Sequence, residues 1–421
     1  MIHIDLPEDV KMILNILRSS GYEAYAVGGC VRDCLLGKLP KDWDVTTSAL
    51  PLDVKRLFPR TVDTGIKHGT VTVLVKNEGY EVTTYRVDGK YTDGRHPENV
   101  SFTASLDEDL KRRDFTINAL VYNEESGIKD LFGGIEDLDN KIIRCVGIPE
   151  ERFDEDALRI LRAVRFSAQL GFDIEEKTYL AAKKLKNKLA LVSAERIKTE
   201  IDKTLMSVNP GHINLLTAMG LDKIIFPEIE KADQSFLKTA LEVSACELSV
   251  RWALVCYAAE TGAGEECFST LTLNILHRLK FDNKTKDKTV LFVKTIQSGL
   301  PGDAGEDIRI RSRRLVNRLG WENTDDYLSF LEAVSIAKGN GTTEVYGLKK
   351  EIEGIRERKE CTSLKELAVN GKDLIECGFC SGTELGKTLD FLLEKVLIDP
   401  KTNQRDELLG IAGSYEQPES D

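Results

Sequence analysis

The stretch Gly28–Thr47, GGCVRDCLLGKLPKDWDVTT, decides how the first part of the chain is built. It holds a Gly-Gly turn, an arginine three residues beyond the second glycine, and two aspartates one residue apart. The run Asp-Trp-Asp-Val predicts a strand at Trp43–Thr47, and period-2 geometry places Asp42 and Asp44 on one face. Paired carboxylates repel unless a cation lies between them, and Mg²⁺ takes oxygen ligands while keeping phosphate oxygens as others. We therefore expect a site for metal and a nucleoside triphosphate.

The glycine turn is the candidate phosphate site. Gly28 and Gly29 would let backbone N–H groups approach a phosphate, and Arg32 would fork onto its oxygens. The alternative is an ordinary strand-to-helix turn with a surface arginine. Neither GxGxxG nor the full Walker-type pattern GxxxxGK[ST] occurs, which disfavours a dinucleotide or P-loop site. Glu81 is either a third catalytic carboxylate or an exposed strand residue.

Composition bounds the class of protein. The 421 residues, 41% hydrophobic and 30% charged, exceed one ordinary core, so we expect two to four domains. The N-terminus carries acids where a signal peptide needs basic residues, and no apolar run is long enough to span a membrane, which favours a cytoplasmic protein. Of nine cysteines only Cys377 and Cys380 form a CxxC pair, which lacks the further ligands of a zinc site.

Taken alone, the net charge of −12 argues against a nucleic-acid partner, because phosphate contacts need local positive charge. Net charge is, however, an average over the whole chain. Basic clusters occur at 183–188, 278–288 and 309–318. Each is either a solvated helix face or part of one extended basic track.

Mixed strand and helix patterns run to about residue 146, and helical patterns dominate from Phe153 onward. The first region predicts one α/β domain with a small antiparallel or mixed sheet, including a hairpin of Thr70–Lys76 and Tyr80–Val87. Long helices are predicted at 106–121 and 154–169.

A charged block, Lys111-Arg112-Arg113-Asp114, runs into the apolar FTINAL segment. It is either a solvated helix start or part of a nucleotide site. In the second case Arg113 would reach the triphosphate, and Asp114 would hold a ribose hydroxyl or fix an arginine.

Four charged residues follow at intervals of three: Asp156, Arg159, Arg162 and Arg165. On a helix this row drifts by about 60° per step, and both of its flanks are apolar, which predicts a crevice. Burying arginines is costly unless anions or acceptors meet them. The alternative is a structural ladder of ion pairs.

Hydrogen-bond geometry adds a hypothesis about base choice. Asp156 accepts and Arg159 donates, which complements an amino group beside a ring nitrogen, the edge that cytosine and adenine share. Uracil and guanine present a carbonyl beside an N–H, with the opposite polarity. Such a site would select C and A by side chains alone.

The segments GGCVRDCLLG, DWDVTT, RRDFTINAL and EDALRILRAVR, in this order, resemble bacterial class II CCA-adding enzymes, which are tRNA nucleotidyltransferases close to bacterial poly(A) polymerases. The resemblance is strong over residues 20–205 and weaker over a tail segment beginning NGKDLIECGF. It implies an α+β chain with a polymerase-β-like nucleotidyltransferase head and mixed sheet, then an all-α neck, body and tail in a seahorse shape. The implied domains are the head at 1–146, neck at 147–207, body at 208–340 and tail at 341–421.

The resemblance also implies an activity: addition of C, C and A to the tRNA 3′ end from CTP and ATP, with Mg²⁺ and without a template. The loop Arg86–Pro97 resembles the one that complete enzymes use when they switch to ATP. The roles carried over are metal ligation and nucleotide binding, by Asp42 and Asp44 for the metal and by Gly28, Gly29, Arg32, Arg113, Asp114, Asp156, Arg159, Arg162 and Arg165 for the nucleotide.

Three alternatives stay open at this point. A poly(A) polymerase, or an enzyme that adds only CC or only A, would use the same head chemistry. A silent RNA-binding protein with the head fold is disfavoured because Asp42, Asp44 and Arg113 are all retained. No His-Asp dipeptide occurs, so we predict no HD phosphohydrolase domain. The sequence assigns neither the tRNA contacts nor the oligomeric state.

Overall fold

The computed structural model describes residues 3–88, 100–264, 270–299 and 305–414. It divides into two compact units, Met1–Glu230 and Lys231–Asp421. Most of the loop predicted at 86–97 lies outside the described residues. The finer division into head, neck, body and tail stays a prediction.

A seven-stranded mixed sheet forms the centre of the first unit, in the order β3-β4-β5-β2-β1-β8-β9. Its neighbouring strands are antiparallel except for the parallel pair β2 and β5, which confirms the predicted sheet type. Two further pairs form separate ribbons, β6 with β7 and β10 with β11. The strands of this unit are β1 Ala24–Val27, β2 Asp44–Thr47, β3 Thr61–Gly65, β4 Thr70–Val75, β5 Glu78–Thr84, β6 Arg86–Asp88, β7 Val100–Phe102, β8 Leu120–Asn123, β9 Gly127–Asp130, β10 Ile142–Ile143 and β11 Asp173–Ile174.

Helices surround this sheet and then continue the unit. Their bounds are α1 Glu8–Ser19, α2 Gly29–Leu35, α3 Pro51–Leu57, α4 Leu106–Lys111, α5 Gly134–Asp139, α6 Pro149–Glu155, α7 Leu158–Leu170, α8 Glu176–Leu185, α9 Ala194–Leu205, α10 Asn214–Met219 and α11 Asp222–Ile225. The first follows Pro7 and buries Val10, Ile13, Leu14 and Leu17 at helical spacing.

The α4 helix packs onto the sheet through one apolar cluster. Leu106 and Leu110 meet Tyr25, Val27 and Val121, and the buried ring of Tyr85 completes the cluster. Full burial of a leucine contributes roughly 1.5–3 kcal/mol, so these contacts fix α4 against β1 and β8. The polar face of α4 is thereby held next to the strand that begins at Asp44.

The helix predicted at 106–121 is wrong beyond Lys111. Phe115 has an extended backbone, with φ −128° and ψ 149°, and it bridges to Cys145. The Asp114 carboxylate accepts the Phe115 N–H at 2.8 Å, a local bond that competes with helical pairing. FTINAL therefore forms a short 3-10 turn and enters β8.

The helix predicted at 154–169 is also wrong at its start. The α6 helix ends at Glu155, and Asp156 is extended, with φ −143° and ψ 104°. One Asp156 oxygen accepts the Leu158 N–H at 3.0 Å, the kind of bond that favours aspartate at helix starts over helix interiors. Asp156 therefore occupies the joint between α6 and α7, and the three arginines lie on α7.

The strand predicted at Trp43–Thr47 begins one residue later, at Asp44. Asp42 lies in the preceding bend and is exposed. Asp42 therefore lies just outside the strand, its charge still raises the pKa of Asp44, and the placing of both carboxylates on one face stays a prediction. The predicted hairpin is confirmed as β4 and β5.

The second unit is helical throughout its described residues, as the sequence predicts. Its helices are α12 Gln234–Val243, α13 Leu248–Ala263, α14 Thr270–Arg278, α15 Asn283–Gln297, α16 Ile308–Leu319, α17 Trp321–Ala337, α18 Thr343–Arg358, α19 Gly371–Glu376, α20 Thr383–Ile398 and α21 Arg405–Gly413. Aromatic rings of Tyr257, Phe292, Tyr327 and Phe330 pack against one another in one core region. A second cluster, centred on Leu374, Leu392 and Val396, joins α19 to α20.

The basic cluster at 309–318 has a structural role in this unit. Arg313 is 4% exposed and donates to the carbonyls of Leu397 and Ile398 at 2.6 and 3.0 Å. It thereby satisfies carbonyl groups at the end of α20. Its neighbour Arg314 pairs with Glu306 and Glu394. The cluster therefore offers less free positive charge than its sequence suggests. None of the described helices combines the length and apolar character needed to cross a membrane.

Candidate active site

A cavity of about 360 Å³ in the first unit brings together most of the predicted site residues. Its floor comes from the sheet, and its opposite wall comes from the end of α4, the α6–α7 joint, α7 and α9. The predicted residues that line it are Asp44, Glu81, Arg113, Asp114, Asp156, Arg159 and Arg162.

The sheet side of the cavity carries two carboxylates. Asp44 and Glu81 are register partners on the parallel strands β2 and β5, so their side chains share one face. Partial desolvation raises the pKa of Asp44, and the charges of Glu81 and Asp42 add to this, while Arg113 opposes it. Within the described ranges no lysine or arginine forms an ion pair with Asp44 or Glu81, and the charge of Arg113 acts on Asp44 without such a contact. This side therefore carries negative charge that the chain offsets only in part.

The glycine turn shapes the cavity from behind. Gly28 has φ +80°, and a Cβ there would lie 3.3 Å from Arg113 Nη1 and 3.5 Å from the Asn118 carbonyl oxygen. Its N–H donates to the Leu120 carbonyl at 3.0 Å and is not available to a phosphate. Glycine is therefore needed here for conformation and for close approach to Arg113.

Gly29 and Arg32 lie outside the cavity lining. Gly29 begins α2, and Arg32 is buried, with Nη1 donating to Asn118 Oδ1 at 2.7 Å and Nε to Asp33 at 2.9 Å. The Asn118 amide in turn donates to Asp114 at 3.2 Å. Arg32 thus reaches the cavity wall through Asn118.

Arg113 has donors that no described group accepts. Its Nη2 lies 3.4 Å from Asp109, a long contact, and its buried Nε has no hydrogen-bond partner. A buried guanidinium N–H without an acceptor is costly, which makes this residue the strongest candidate for holding a bound anion.

Asp114 fixes an arginine, one of the two roles that the sequence left open. It accepts from Arg162 Nε and Nη2 at 2.8 and 2.5 Å. Burial alone would raise its pKa, but Arg162, with help from Arg159 and Asn118, lowers the pKa of Asp114 to about 2. The carboxylate therefore stays charged and holds Arg162 at the cavity wall.

Asp156 and Arg159 both line the cavity, and each is anchored from behind. The second oxygen of Asp156 accepts from Arg196 at 2.7 Å. Arg159 donates to Glu155 at 2.6 Å and to the carbonyls of Arg152 and Arg112 at 3.2 and 2.9 Å. Since a guanidinium has five N–H donors, Arg159 keeps two of them after these bonds.

Arg165 belongs to a different environment. It does not line the cavity, and its Nε lies 2.8 Å from Glu200 Oε2. Desolvation lowers the pKa of Arg165 to about 10, although Glu200 opposes the shift. Its guanidinium also lies 4.2 Å from the centre of the Phe166 ring, which Arg32 and Arg162 approach at 5.4 Å. For this residue the structural ion pair is the better interpretation.

Several residues of the site were not found from the sequence, notably Asp109, Arg112, Asn118 and Arg196. Asp109 had a readable signal, because it precedes Arg112 and Arg113 by three and four residues, the spacing at which helical side chains meet. Arg196 lies on α9, 40 residues beyond Asp156, and nothing local indicates that the two pair.

Three family models match successive parts of the chain. The poly A polymerase head domain matches residues 24–144, the RNA and SrmB-binding site of polymerase A matches 171–233, and tRNA nucleotidyltransferase domain 2 matches 249–412. These matches extend over both compact units.

Two curated relatives cover nearly the whole chain. The CCA-adding enzyme of Ligilactobacillus salivarius is 35% identical over 429 residues, 97% of each chain. That of Lactobacillus helveticus is 37% identical over 414 residues, 96% of this chain and 98% of the relative. Among solved structures, the Bacillus stearothermophilus CCA-adding enzyme in complex with CTP matches with a TM-score of 0.76 at 32% identity, covering 96% of this chain and 95% of that one.

The Asp114–Arg162 pair predicts a pH dependence of stability. Because folding lowers the pKa of Asp114 from 3.8 to about 2, its stabilisation is present above pH 4 and is lost as the pH falls toward 2. The shift corresponds to about 2 kcal/mol. We expect the difference in unfolding free energy between the wild type and Asp114→Asn to stay constant from pH 7 to pH 4 and to narrow below it. Denaturant titrations at each pH measure this difference, and a gap that does not narrow below pH 4 would contradict the assignment.

Proposed function

The chain belongs to the family of CCA-adding enzymes, which are nucleotidyltransferases, and from that premise we propose that it adds C, C and A in turn to the tRNA 3′ end. The nucleotides come from CTP and ATP, and no nucleic-acid template directs their order. One observation carries the proposal: a single cavity has free carboxylates on its sheet side and an anchored set of arginines on its opposite wall. The named activity of the relatives and the CTP in the Bacillus stearothermophilus enzyme support it.

We assign the triphosphate to the arginine wall. The unpaired Arg113 donors provide the phosphate contact, because a guanidinium binds phosphate oxygens through charge-assisted hydrogen bonds. Arg162, held by Asp114, provides a second positive charge nearby. Arg32 contributes through Asn118 and the same Asp114, as a support of this wall.

Mg²⁺ is the cofactor that fits the sheet side. Asp44 and Glu81 offer oxygen ligands from neighbouring strands, and the raised pKa of Asp44 reflects negative charge that a cation would relieve. Asp42, whose charge also raises that pKa, is the alternative second ligand beside Asp44. Among the described residues, no three His, Cys, Asp or Glu side chains are grouped to hold a metal. Water and phosphate oxygens are the usual remaining ligands of protein-bound Mg²⁺.

The proposed reaction is nucleotidyl transfer. The tRNA 3′-hydroxyl loses its proton to water, its oxygen forms a bond to the α-phosphorus, the bond from that phosphorus to the bridging oxygen breaks, and pyrophosphate leaves. Bound metal would polarise the attacking hydroxyl and offset charge on the triphosphate. The chain's own contribution is to place the carboxylate strands beside the α-phosphate and to hold the departing phosphates with Arg113.

Base choice belongs to the Asp156–Arg159 pair in this proposal. Arg196 and the Leu158 N–H hold Asp156 in place, and Glu155 holds Arg159. Rigid anchoring means that the same acceptor–donor pair meets each incoming base, which favours cytosine and adenine. We also propose the four-part division into head, neck, body and tail. The proposed location is the cytoplasm, where tRNA and nucleotides are available.

The activity is tested with a tRNA that lacks its terminal CCA. The purified chain and Mg²⁺ receive CTP alone, ATP alone or both, and the products are resolved by length. We expect two additions with CTP, and three additions followed by arrest with both nucleotides. A long A tract would identify a poly(A) polymerase, and addition of only CC or only A would identify a partial enzyme. Either result would contradict the proposal.

The carboxylate assignment predicts opposite effects on activity and stability. Asp44→Asn removes a metal ligand and should reduce nucleotide incorporation by at least about a thousandfold, since the residue acts at the reacting phosphate. Because it also removes charge repulsion, the melting temperature should stay equal or rise.

Asp107→Asn is the matched control, since Asp107 is an exposed carboxylate on α4 of the same unit. It should leave both quantities unchanged. Substantial turnover by Asp44→Asn, or loss of activity that follows loss of melting temperature, would contradict the metal assignment.

A further inference from the structure

Asp109 is a fully buried carboxylate at the base of the candidate active site. Its side chain has 0% exposure, and it lies on α4, where that helix packs against the sheet. It does not line the cavity. The roles proposed above for metal, phosphate and base do not use it.

Four groups from three separate segments converge on this carboxylate. Arg112 donates to Oδ1 from Nε at 3.0 Å and from Nη2 at 2.8 Å. Arg113 Nη2 lies 3.4 Å from Oδ2, and the Thr46 hydroxyl donates to the same oxygen at 3.2 Å. The Arg86 N–H is 3.4 Å from Oδ1. Asp109 is therefore the common acceptor for two arginines and two strands.

These partners keep the carboxylate charged. Burial raises the pKa of Asp109, but Arg112 and Arg113 together lower it below its ordinary value. A buried charge whose partners are all in place is rigid, because moving any partner leaves that charge uncompensated.

The Thr46 bond connects this cluster to the carboxylate strand. Thr46 lies two residues after Asp44 on β2, so the two side chains point to the same face. Thr46 therefore links the strand that carries Asp44 to α4, and Arg113 lies just beyond the end of that helix. The position of Arg113 relative to the strand depends on the hydrogen bonds that Asp109 accepts from Thr46 and Arg113.

We propose that Asp109 is a positioning residue that sets Arg113 relative to Asp44. It acts without touching the substrate: its Oδ2, at 3.4 Å, is the acceptor that the described chain offers to the Arg113 guanidinium, and this contact sets the position of that guanidinium relative to Asp44. The inference rests on the proposed function, and it makes Asp109 necessary for aligning the triphosphate for in-line attack. CTP and ATP share this triphosphate, so both depend on Asp109 equally.

The same unit offers a matched control at Asp137. This aspartate is 3% exposed, accepts from the Thr116 hydroxyl at 2.6 Å, and receives Arg144 Nε at 3.0 Å. It thus has the same burial and the same kinds of partner as Asp109. It does not line the cavity, and its arginine is not one of the cavity arginines.

The test is a double-mutant cycle of Asp109→Asn and Arg113→Ala, followed by single-turnover addition of CMP and AMP to tRNA. If Asp109 acts through Arg113, Asp109→Asn should lower the rate at least about tenfold for both nucleotides in the wild-type background. In the Arg113→Ala background it should lower the rate less than about threefold, because the group it positions is gone. Asp137→Asn should lower the melting temperature without this loss of rate.

Three results would overturn the proposal. The first is that Asp109→Asn lowers the rate by the same factor in the wild-type and Arg113→Ala backgrounds. The second is that Asp137→Asn lowers the rate as much as Asp109→Asn does. The third is that Asp109→Asn slows the addition of only one of the two nucleotides. If Asp109→Asn does not fold, Thr46→Val takes its place in the cycle, since it keeps the shape of the side chain and removes the hydroxyl; the same criteria apply. Wild-type addition of C, C and A runs in parallel. If the wild type does not add C, C and A, the proposed function itself is contradicted. If the wild type is active and the effects of Asp109→Asn and Arg113→Ala are additive, only the role of Asp109 is contradicted.

Discussion

Several partly buried arginines meet around one cavity, and their need for counterions governs the site. An uncompensated buried charge costs several kcal/mol, so the wall must supply carboxylates before a ligand arrives. Four of the cavity arginines have such a partner: Arg112 with Asp109, Arg159 with Glu155, Arg162 with Asp114, and Arg196 with Asp156. Arg113 has only one long contact, and its buried Nε has no acceptor. These ion pairs hold the other arginines of the wall in place, and the Arg113 donors stay available to a bound anion.

Two sides with different tasks follow from this arrangement. The sheet side presents Asp44 and Glu81, which carry negative charge that the described chain does not neutralise. The opposite side presents anchored donors and acceptors, among them Asp156 and Arg159. Under the proposed function, metal binding and base recognition can therefore be altered separately, although both occur in one cavity. The segment Gly28–Thr47 contributes Asp44 to the sheet side, and the joint between α6 and α7 contributes Asp156 to the opposite side.

The sequence predicted those features that depend on local pattern. The mixed sheet, its hairpin and the all-helical second unit were readable from periodicity, and most of the named site residues do meet in one cavity. The errors in the predicted helices lie where an aspartate side chain accepts a backbone N–H one or two residues further along and interrupts the helix, as Asp114 and Asp156 do. Long-range partners were not readable either. Glu200 pairs with Arg165, which does not line the cavity, and the carbonyls of Leu397 and Ile398 account for Arg313 in the basic cluster at 309–318.

We propose that the metal-binding carboxylates and the base-recognising pair lie on different sides of one cavity. This division is tested by the relative incorporation of all four nucleotides into a tRNA by Asp156→Ala/Arg159→Ala, with Asp44→Asn in parallel. We expect the double variant to raise incorporation of U and G relative to C and A by at least about tenfold, because the acceptor–donor pair that excludes them is gone. Asp44→Asn should slow all four nucleotides while preserving their ratio. A double variant that loses rate but keeps the wild-type preference for C and A would contradict the assignment of base choice to Asp156 and Arg159.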